Sequence, residues 1–369
     1  LDADSEGEEG KFYVWNPEVV ASHLDDSEYE LLAQRFGLDK PANFEGGWHL
    51  HAYRSYKDLA ETSGLGETDV RENLQSARKK LYRAREQRIH PGLDDKILTS
   101  WNGLMIRGMA YAGRQLDKPA YIESAASAAD YIHDNLWQNN RLLATAKDGH
   151  AHLNAYLDDY AFIISGLLEL LQSKWNSKWL LWAQQLADVL IEQFEDKNSG
   201  GFFFTSHDHE QLIQRSKSYS DDATPSGNGI AAESLLLLGY LLAEPGYINA
   251  AERCLKAAWS SINHAAISHC SLLEALDLHL APPQIVILRG SAEQLASWLQ
   301  PTIGKFMPHS YVFAIPADSE LPPSLAEKSA SDATVAYVCE GMQCSPPVSS
   351  RHEWNELVEY SSAALEPSP

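Results

Sequence analysis

Apolar residues recur in three- and four-residue steps along three stretches of the chain. Tyr121, Ala125, Ala128, Ala129, Ile132 and Leu136 form the first stripe. Trp179, Trp182, Ala183, Leu186, Ala187, Leu190 and Phe194 form the second, and Tyr247, Ala250, Ala251, Cys254, Leu255 and Ala258 the third. This is the period of an α-helix that buries one face. Between these stripes lie segments that are apolar on every side, the pattern of a fully buried helix. Amphipathic helices therefore alternate with buried ones, and a ring of hairpins with the buried helices inside satisfies both.

The alternation is a repeat. Asp94-Asp95, Asp158-Asp159 and Asp221-Asp222 each precede one of the more apolar segments. Their first members are 64 and 63 residues apart, and Gly103, Gly166 and Gly229 follow at intervals of 63 and 63. A shared residue type at nearly constant spacing marks a repeated supersecondary unit, and predicts that each Asp pair opens an inner helix. Two linkers, Leu142 to Gly149 and Gly200 to Asp208, mix turn residues with short apolar runs, as small hairpins over the mouth of the ring would.

The ends read differently. Phe12 to Trp15 looks extended, Pro17 to Leu24 and Glu28 to Phe36 look like short helices, and Thr68 to Gln87 is a helix with Thr68 as its cap. After Pro282-Pro283, Ile285 to Leu288, Tyr311 to Ile315 and Val335 to Cys339 read as strands. Ala292 to Ile303 and His352 to Tyr360 read as helices, and Ser361 to Pro369 as a frayed tail. The expected fold is mainly α: a ring of helical hairpins over residues 1–281, with a small α/β appendage over 282–369.

Charge narrows the partners. The 369 residues carry 51 acidic against 29 basic side chains, a net charge of −22. Such a surface repels phosphate backbones and anionic lipid, so neither nucleic acid nor membrane is an expected partner. No apolar run nears the ~20 residues of a membrane span; Leu235 to Ala243 is short and interrupted by Gly239 and Tyr240. No signal peptide is visible, and Cys254, Cys270, Cys339 and Cys344 are too few for a disulfide scaffold. A cytoplasmic location is the expectation, for a chain whose start at Leu1 fits a fragment or processed form. Cys339 and Cys344, with His352 downstream, hint at metal or redox chemistry, but zinc sites are usually more tightly spaced. Two thiols, no metal and no cofactor are expected.

Several phrases together resemble a known family. Asp2 to Trp15, Asp94 to Leu104, Tyr156 to Ala161, Pro225 to Asn228 and Tyr337 to Cys339 look like the YyaL-like, or spermatogenesis-associated, thioredoxin-domain-containing family. The resemblance runs over nearly the whole chain. It implies an (α/α)6-type toroid, complete or lacking its early hairpins, related to six-hairpin glycosidases and N-acylglucosamine 2-epimerases. In that family a thioredoxin-like domain comes first. This chain starts after it, so a redox role does not carry over.

The Asp pairs admit two roles. An Asp in a first helical turn accepts backbone N–H bonds and meets the positive end of the helix dipole, worth ~1 kcal/mol. Carboxylates gathered at one mouth also raise one another's pKa, so that one stays protonated near neutrality. Glycoside hydrolysis uses such a pair at about 5 Å or about 6.5–9.5 Å. The candidate acids and bases are Asp95, Asp159 and Asp222, favoured for lying one step further in, and then Asp94, Asp158 and Asp221. Trp101, Tyr156, Tyr160 and Tyr219 offer rings to sugar faces or serve as ordinary core. Asn102 and Asn228 could orient hydroxyls or cap turns. His90, with His150, His152, His269 and His279 as further histidines, could abstract protons as in epimerase-type toroids, although the epimerase histidine motifs are not matched. The expected function is carbohydrate-active, hydrolase or sugar epimerase, on a small-molecule carbohydrate. The alternative is a non-catalytic toroid that partners a thioredoxin-like domain.

Overall fold

The structure, a computed structural model, describes residues 1–210, 213–330 and 333–363. Packing divides the chain into two compact units, Leu1–Asp95 and Lys96–Pro369.

The first unit opens with the two-residue strands β1 (Asp4–Ser5) and β2 (Glu8–Glu9). Helices α1 (Pro17–His23), α2 (Asp26–Phe36), α3 (Tyr56–Ser63) and α4 (Glu67–Arg85) follow. Phe12 and Tyr13 lie in a turn rather than a strand, and only Trp15 pairs, with Trp48. Asp25 and Glu28 form a capping box that starts α2. Helix α4 begins at Gly66 and Glu67 without a side-chain cap from Thr68. Val20, Leu31, Leu32, Leu59, Val70, Leu74, Ala77 and Leu81 make the core.

The second unit is built of helical hairpins. The two-residue strand β3 (Ile97–Leu98) leads into α5 (Thr99–Gln115), and α6 (Pro119–Leu136) returns. A small sheet follows from β4 (Trp137–Gln138), β5 (Arg141–Lys147) and β6 (His150–Asn154). Helices α7 (Leu157–Ser173), α8 (Ser177–Phe194), α9 (Gly227–Leu242), α10 (Pro245–His264) and α11 (Cys270–Leu280) complete the helical part. Helix α5 packs on α7, α7 on α9 and α9 on α11, while α6, α8 and α10 cover α5, α7 and α9. The inner helices α7 and α9 bury nearly every residue, whereas α8 and α10 bury one stripe. The alternation of apolar runs and stripes dictates this layering.

The glycines at 63-residue spacing sit where inner helices touch. A Cβ on Gly103 would lie 2.6 Å from the backbone of Phe162, and one on Gly166 would lie 2.8 Å from the carbonyl of Gly103. Helices α5 and α7 thus meet backbone to backbone, a contact that only glycine permits.

The Asp pairs do not all open helices. Only Asp158-Asp159 stands in a first turn. Asp94 and Asp95 lie in exposed coil, because Ile97 and Leu98 pair with Ala146 and Thr145 of β5 and delay α5 to Thr99. Asp221 and Asp222 also lie in coil: Pro225 disfavours helical backbone at Thr224, and α9 starts only after Ser226.

Four strands close the unit: β7 (Gln284–Gly290), β8 (Ser310–Pro316), β9 (Val335–Glu340) and β10 (Gln343–Cys344), in the order β10-β9-β7-β8. Strands β7 and β8 are parallel across α12 (Ala292–Leu299), and β9 runs antiparallel to β7. Ile285, Ile287, Phe313 and Ile315 point into the helical core. A short helix, α13 (Pro323–Ala326), precedes β9, and Val286, Leu288, Val312 and Val338 pack with Leu295, Trp298 and, from α14 (Arg351–Ala363), Trp354. Residues 361–363, expected in the frayed tail, continue α14, and 364–369 lie outside the described residues. Cys339 and Cys344 are not two thiols. They face each other across the β9–β10 hairpin and form a disulfide, because the turn at Gly341 places them in register. The fold is mainly helical, built of α/α hairpins with a small C-terminal α/β part, as the hydropathy pattern predicts.

Candidate functional site

The second Asp pair stands in the first turn of α7, and the third in the coil that leads into α9. Asp159 is buried. One oxygen accepts the N–H of Tyr156 at 2.8 Å, and the other accepts the N–H of Ser100, in the first turn of α5, at 2.8 Å. It therefore joins the starts of two inner helices, using N–H groups that have no partner within their own helices. Burial pushes its pKa up to about 7 against the pull of these bonds.

Asp158 turns the other way. Its Oδ1 lies 2.1 Å from where a Cβ on Gly227 would stand, so a side chain at this first residue of α9 would displace the carboxyl group. Burial raises its pKa to about 6. Asp221 bridges the next two inner helices. It accepts the N–H of Ser226 at 2.8 Å, and both the N–H and the hydroxyl of Ser271, the N–H at 3.0 Å. Burial pushes its pKa up, but these hydrogen bonds outweigh burial and the net direction is down. Asp222 is exposed, and its backbone N–H donates to the carbonyl of Thr224 at 3.0 Å.

Asp158 and Asp222 line one cavity of about 180 Å³ with Phe204, Ser218, Ser220, Thr224 and Gly227. Tyr156 stacks on Phe204, with centroids 4.9 Å apart and planes 16° apart. The structure thus brings together one carboxylate from each of two pairs, an aromatic wall and four hydroxyl side chains, Ser226 being the fourth.

The other candidates fall elsewhere. Asp94, Asp95 and His90 belong to the first unit; the His90 ring packs on Phe12 at 4.7 Å. Trp101 is 64% exposed on the first turn of α5. Asn102 donates to the carbonyl of Leu98 at 2.8 Å and secures that turn. The Tyr160 hydroxyl is buried and accepts the N–H of Leu142 at 3.0 Å. Asn228 is fully buried, accepting the N–H of Phe202 and donating to the carbonyls of Phe202 and Ser218. Tyr219 packs over Gly201, and burial raises its pKa to about 12. His150 and His152 stand on β6, and His269 Nδ1 donates to the carbonyl of Ala265 at 2.8 Å just before α11.

A second polar cluster was not signalled by the Asp repeat. Arg107 of α5 pairs with both oxygens of Glu233 of α9, at 3.0 and 2.7 Å, and Arg114 pairs with Glu169 of α7. Arg107, Arg114, Glu169, Gln172 and Tyr311 line a cavity of about 350 Å³ toward the C-terminal ends of α5 and α7. Burial raises the Tyr311 pKa. A signal existed: Glu233 is the single charge in the apolar run of α9, and Arg107 precedes it by two repeat lengths. Among the described residues, no group of three His, Cys, Asp or Glu side chains is placed to hold a metal ion. Nor is any helix among them long and apolar enough to cross a membrane.

Across 97% of its length the chain aligns with spermatogenesis-associated protein 20 of Homo sapiens, with 27% identity over 401 residues. The chain is homologous to that protein. It also aligns, with 25% identity over 378 residues and 95% of its length, with the uncharacterized protein B0495.5 of Caenorhabditis elegans. The chain spans about half of these relatives, 51% and 52% of their lengths. No protein-family profile matches it. Among solved structures, cellobiose 2-epimerase from Spirochaeta thermophila superposes with a TM-score of 0.37 and 18% identity, over 44% of this chain and 43% of that one. An α-1,6-mannanase from Salegentibacter sp. HEL1_6 superposes with a TM-score of 0.37 and 14% identity, over 66% and 70%.

Proposed function

We propose that the cavity between the starts of α7 and α9 binds a carbohydrate group and that Asp158 and Asp222 supply acid–base chemistry to it, as a hydrolase or a sugar epimerase. The observation that carries this reading is the sharing of one cavity by two carboxyl groups in unlike surroundings. Asp158 is partly buried, and its pKa of about 6 leaves a fraction protonated near neutrality, as a proton donor needs. Asp222 stands exposed on the same wall. Phe204, stacked on Tyr156, offers an apolar face, and Ser218, Ser220 and Thr224 offer hydroxyls. Asp159 and Asp221 act as positioning residues that fix the helix starts. Asp94, Asp95, Trp101 and His90 keep their candidacy on side-chain chemistry alone.

A second reading is favoured by the size of the cavity. About 180 Å³ is below the roughly 300–1,000 Å³ of most small-molecule sites. In that reading the helical unit is a non-catalytic scaffold for a thioredoxin-like domain, in the cytoplasm. A thermal-shift screen over mono- and oligosaccharides separates the two. A bound sugar at a hundred times its Kd adds about 2.7 kcal/mol of stability. Asp158→Asn and Asp222→Asn should each abolish turnover of that sugar. Silence across a broad panel sinks the carbohydrate reading and leaves the scaffold.

A further inference from the structure

On a chain with 51 acidic and 29 basic side chains, cations are concentrated on one helix of the first unit. Arg78, Lys79, Lys80, Arg83 and Arg85 fall within the last two turns of α4. Lys80 is held by Glu28 at 2.6 Å, and Arg85 lies over the Phe12 and Tyr82 rings. Arg78, Lys79 and Arg83 are exposed and form no ion pair among the described residues. Lys79 and Arg83 are also four residues apart, a like-charge spacing that destabilises a helix.

These cations border a groove of about 630 Å³ whose floor is apolar, made by Trp15, Leu32, Phe36, Leu50 and Leu81, with Tyr82 on its rim. Tyr82 is 56% exposed although it borders this apolar surface. We propose that the groove is a docking site for an acidic peptide segment that places one apolar side chain on the floor and carboxylates on either side. Charge complementarity argues for an anion, and the floor argues for a peptide. A phosphate backbone has no apolar side chain to bury there, and the net charge of −22 opposes a long polyanion. The spacing fits as well. From Arg78 to Arg85 the helix rises about 10 Å, which an extended peptide covers in about three residues.

The test uses the full chain and a fluorescein-labelled Glu-Glu-Phe-Glu-Glu peptide, followed by anisotropy at low salt. Saturable binding is expected, weakened at least tenfold when Gln replaces Glu or Ala replaces Phe in the peptide. Arg78→Glu/Lys79→Glu/Arg83→Glu, and the neutral Arg78→Gln/Lys79→Gln/Arg83→Gln, should each lose at least tenfold while keeping the wild-type helical circular dichroism. Equal binding of the Gln peptide, or indifference to both triple variants, overturns the proposal. Binding of a single-stranded oligonucleotide as tight as that of the peptide, and lost in the same variants, overturns it in favour of a phosphate site.

Discussion

The pairs Asp158-Asp159 and Asp221-Asp222 have the same sequence and opposite divisions of labour. In the first, the second Asp is taken up by backbone N–H groups and the first faces the cavity. In the second, Asp221 is taken up by Ser226 and Ser271, and Asp222 faces the cavity. What differs is the distance to the helix start. Asp159 is the third residue of α7, where a side chain reaches back to the capping residue, whereas Asp221 precedes α9 by a loop that Pro225 shapes. The residue type sets what a carboxylate can do, and its register to the helix sets which of the two does it.

Four substitutions can break or sharpen this contrast. Asp159→Ala should be the most damaging, by about 2–4 kcal/mol in chemical denaturation, because it strands the N–H groups of Ser100 and Tyr156 in a buried place. Asp221→Ala should cost about 1–3 kcal/mol, less because that site is partly open to water that can replace the lost acceptor. A cost for Asp159→Ala no greater than for an exposed Asp would remove the idea that it ties α5 to α7.

Asp158→Asn should act with the opposite sign. The folded pKa of Asp158 is raised to about 6 from 3.8. The unfolded chain therefore loses this proton first, and stability falls as pH rises from about 4 to about 6. The Asn variant lacks that loss, so it should be more stable than wild type above pH 6, by about 1–3 kcal/mol, and nearly equal to it near pH 4. Melting temperatures of both proteins across this range decide it, and parallel curves would contradict the assignment. Asp222→Asn should move stability by no more than about 0.5 kcal/mol, since the group is exposed, yet it should affect sugar turnover as strongly as Asp158→Asn. A large stability change there would mean that Asp222 is structural and that the contrast fails.

Most of the helical layering was legible in the sequence, and the helix starts were not. The stripes at Tyr121–Leu136, Trp179–Phe194 and Tyr247–Ala258 lie within α6, α8 and α10, because burial of one face is written in local periodicity. The start of α5 depends on pairing of Ile97 and Leu98 with β5, and that of α9 on Pro225, which outweighed the Asp signal. The capping role of an Asp could be anticipated, but its second partner could not. Ser100 is 59 residues from Asp159, and Ser271 is 50 from Asp221. The Cys339–Cys344 bond depends on hairpin register, and the Arg107–Glu233 pair on two helices meeting 126 residues apart in the chain. Such partners are products of the fold, and only isolated charges in apolar runs announce them.

The backbone contact between Gly103 and Gly166 imposes a rule on length. One extra residue inside α5 or α7 would turn everything beyond it by about 100° and bring a side chain where the helices touch. Insertions and deletions must therefore collect in the linkers and the outer-helix ends, and homologous chains should keep the interval from each of these glycines to the charged residues beyond it. Arg107 stands four residues after Gly103 and Glu233 four after Gly229. The glycines fix a ruler along the inner helices, and the half-buried ion pair is read off it.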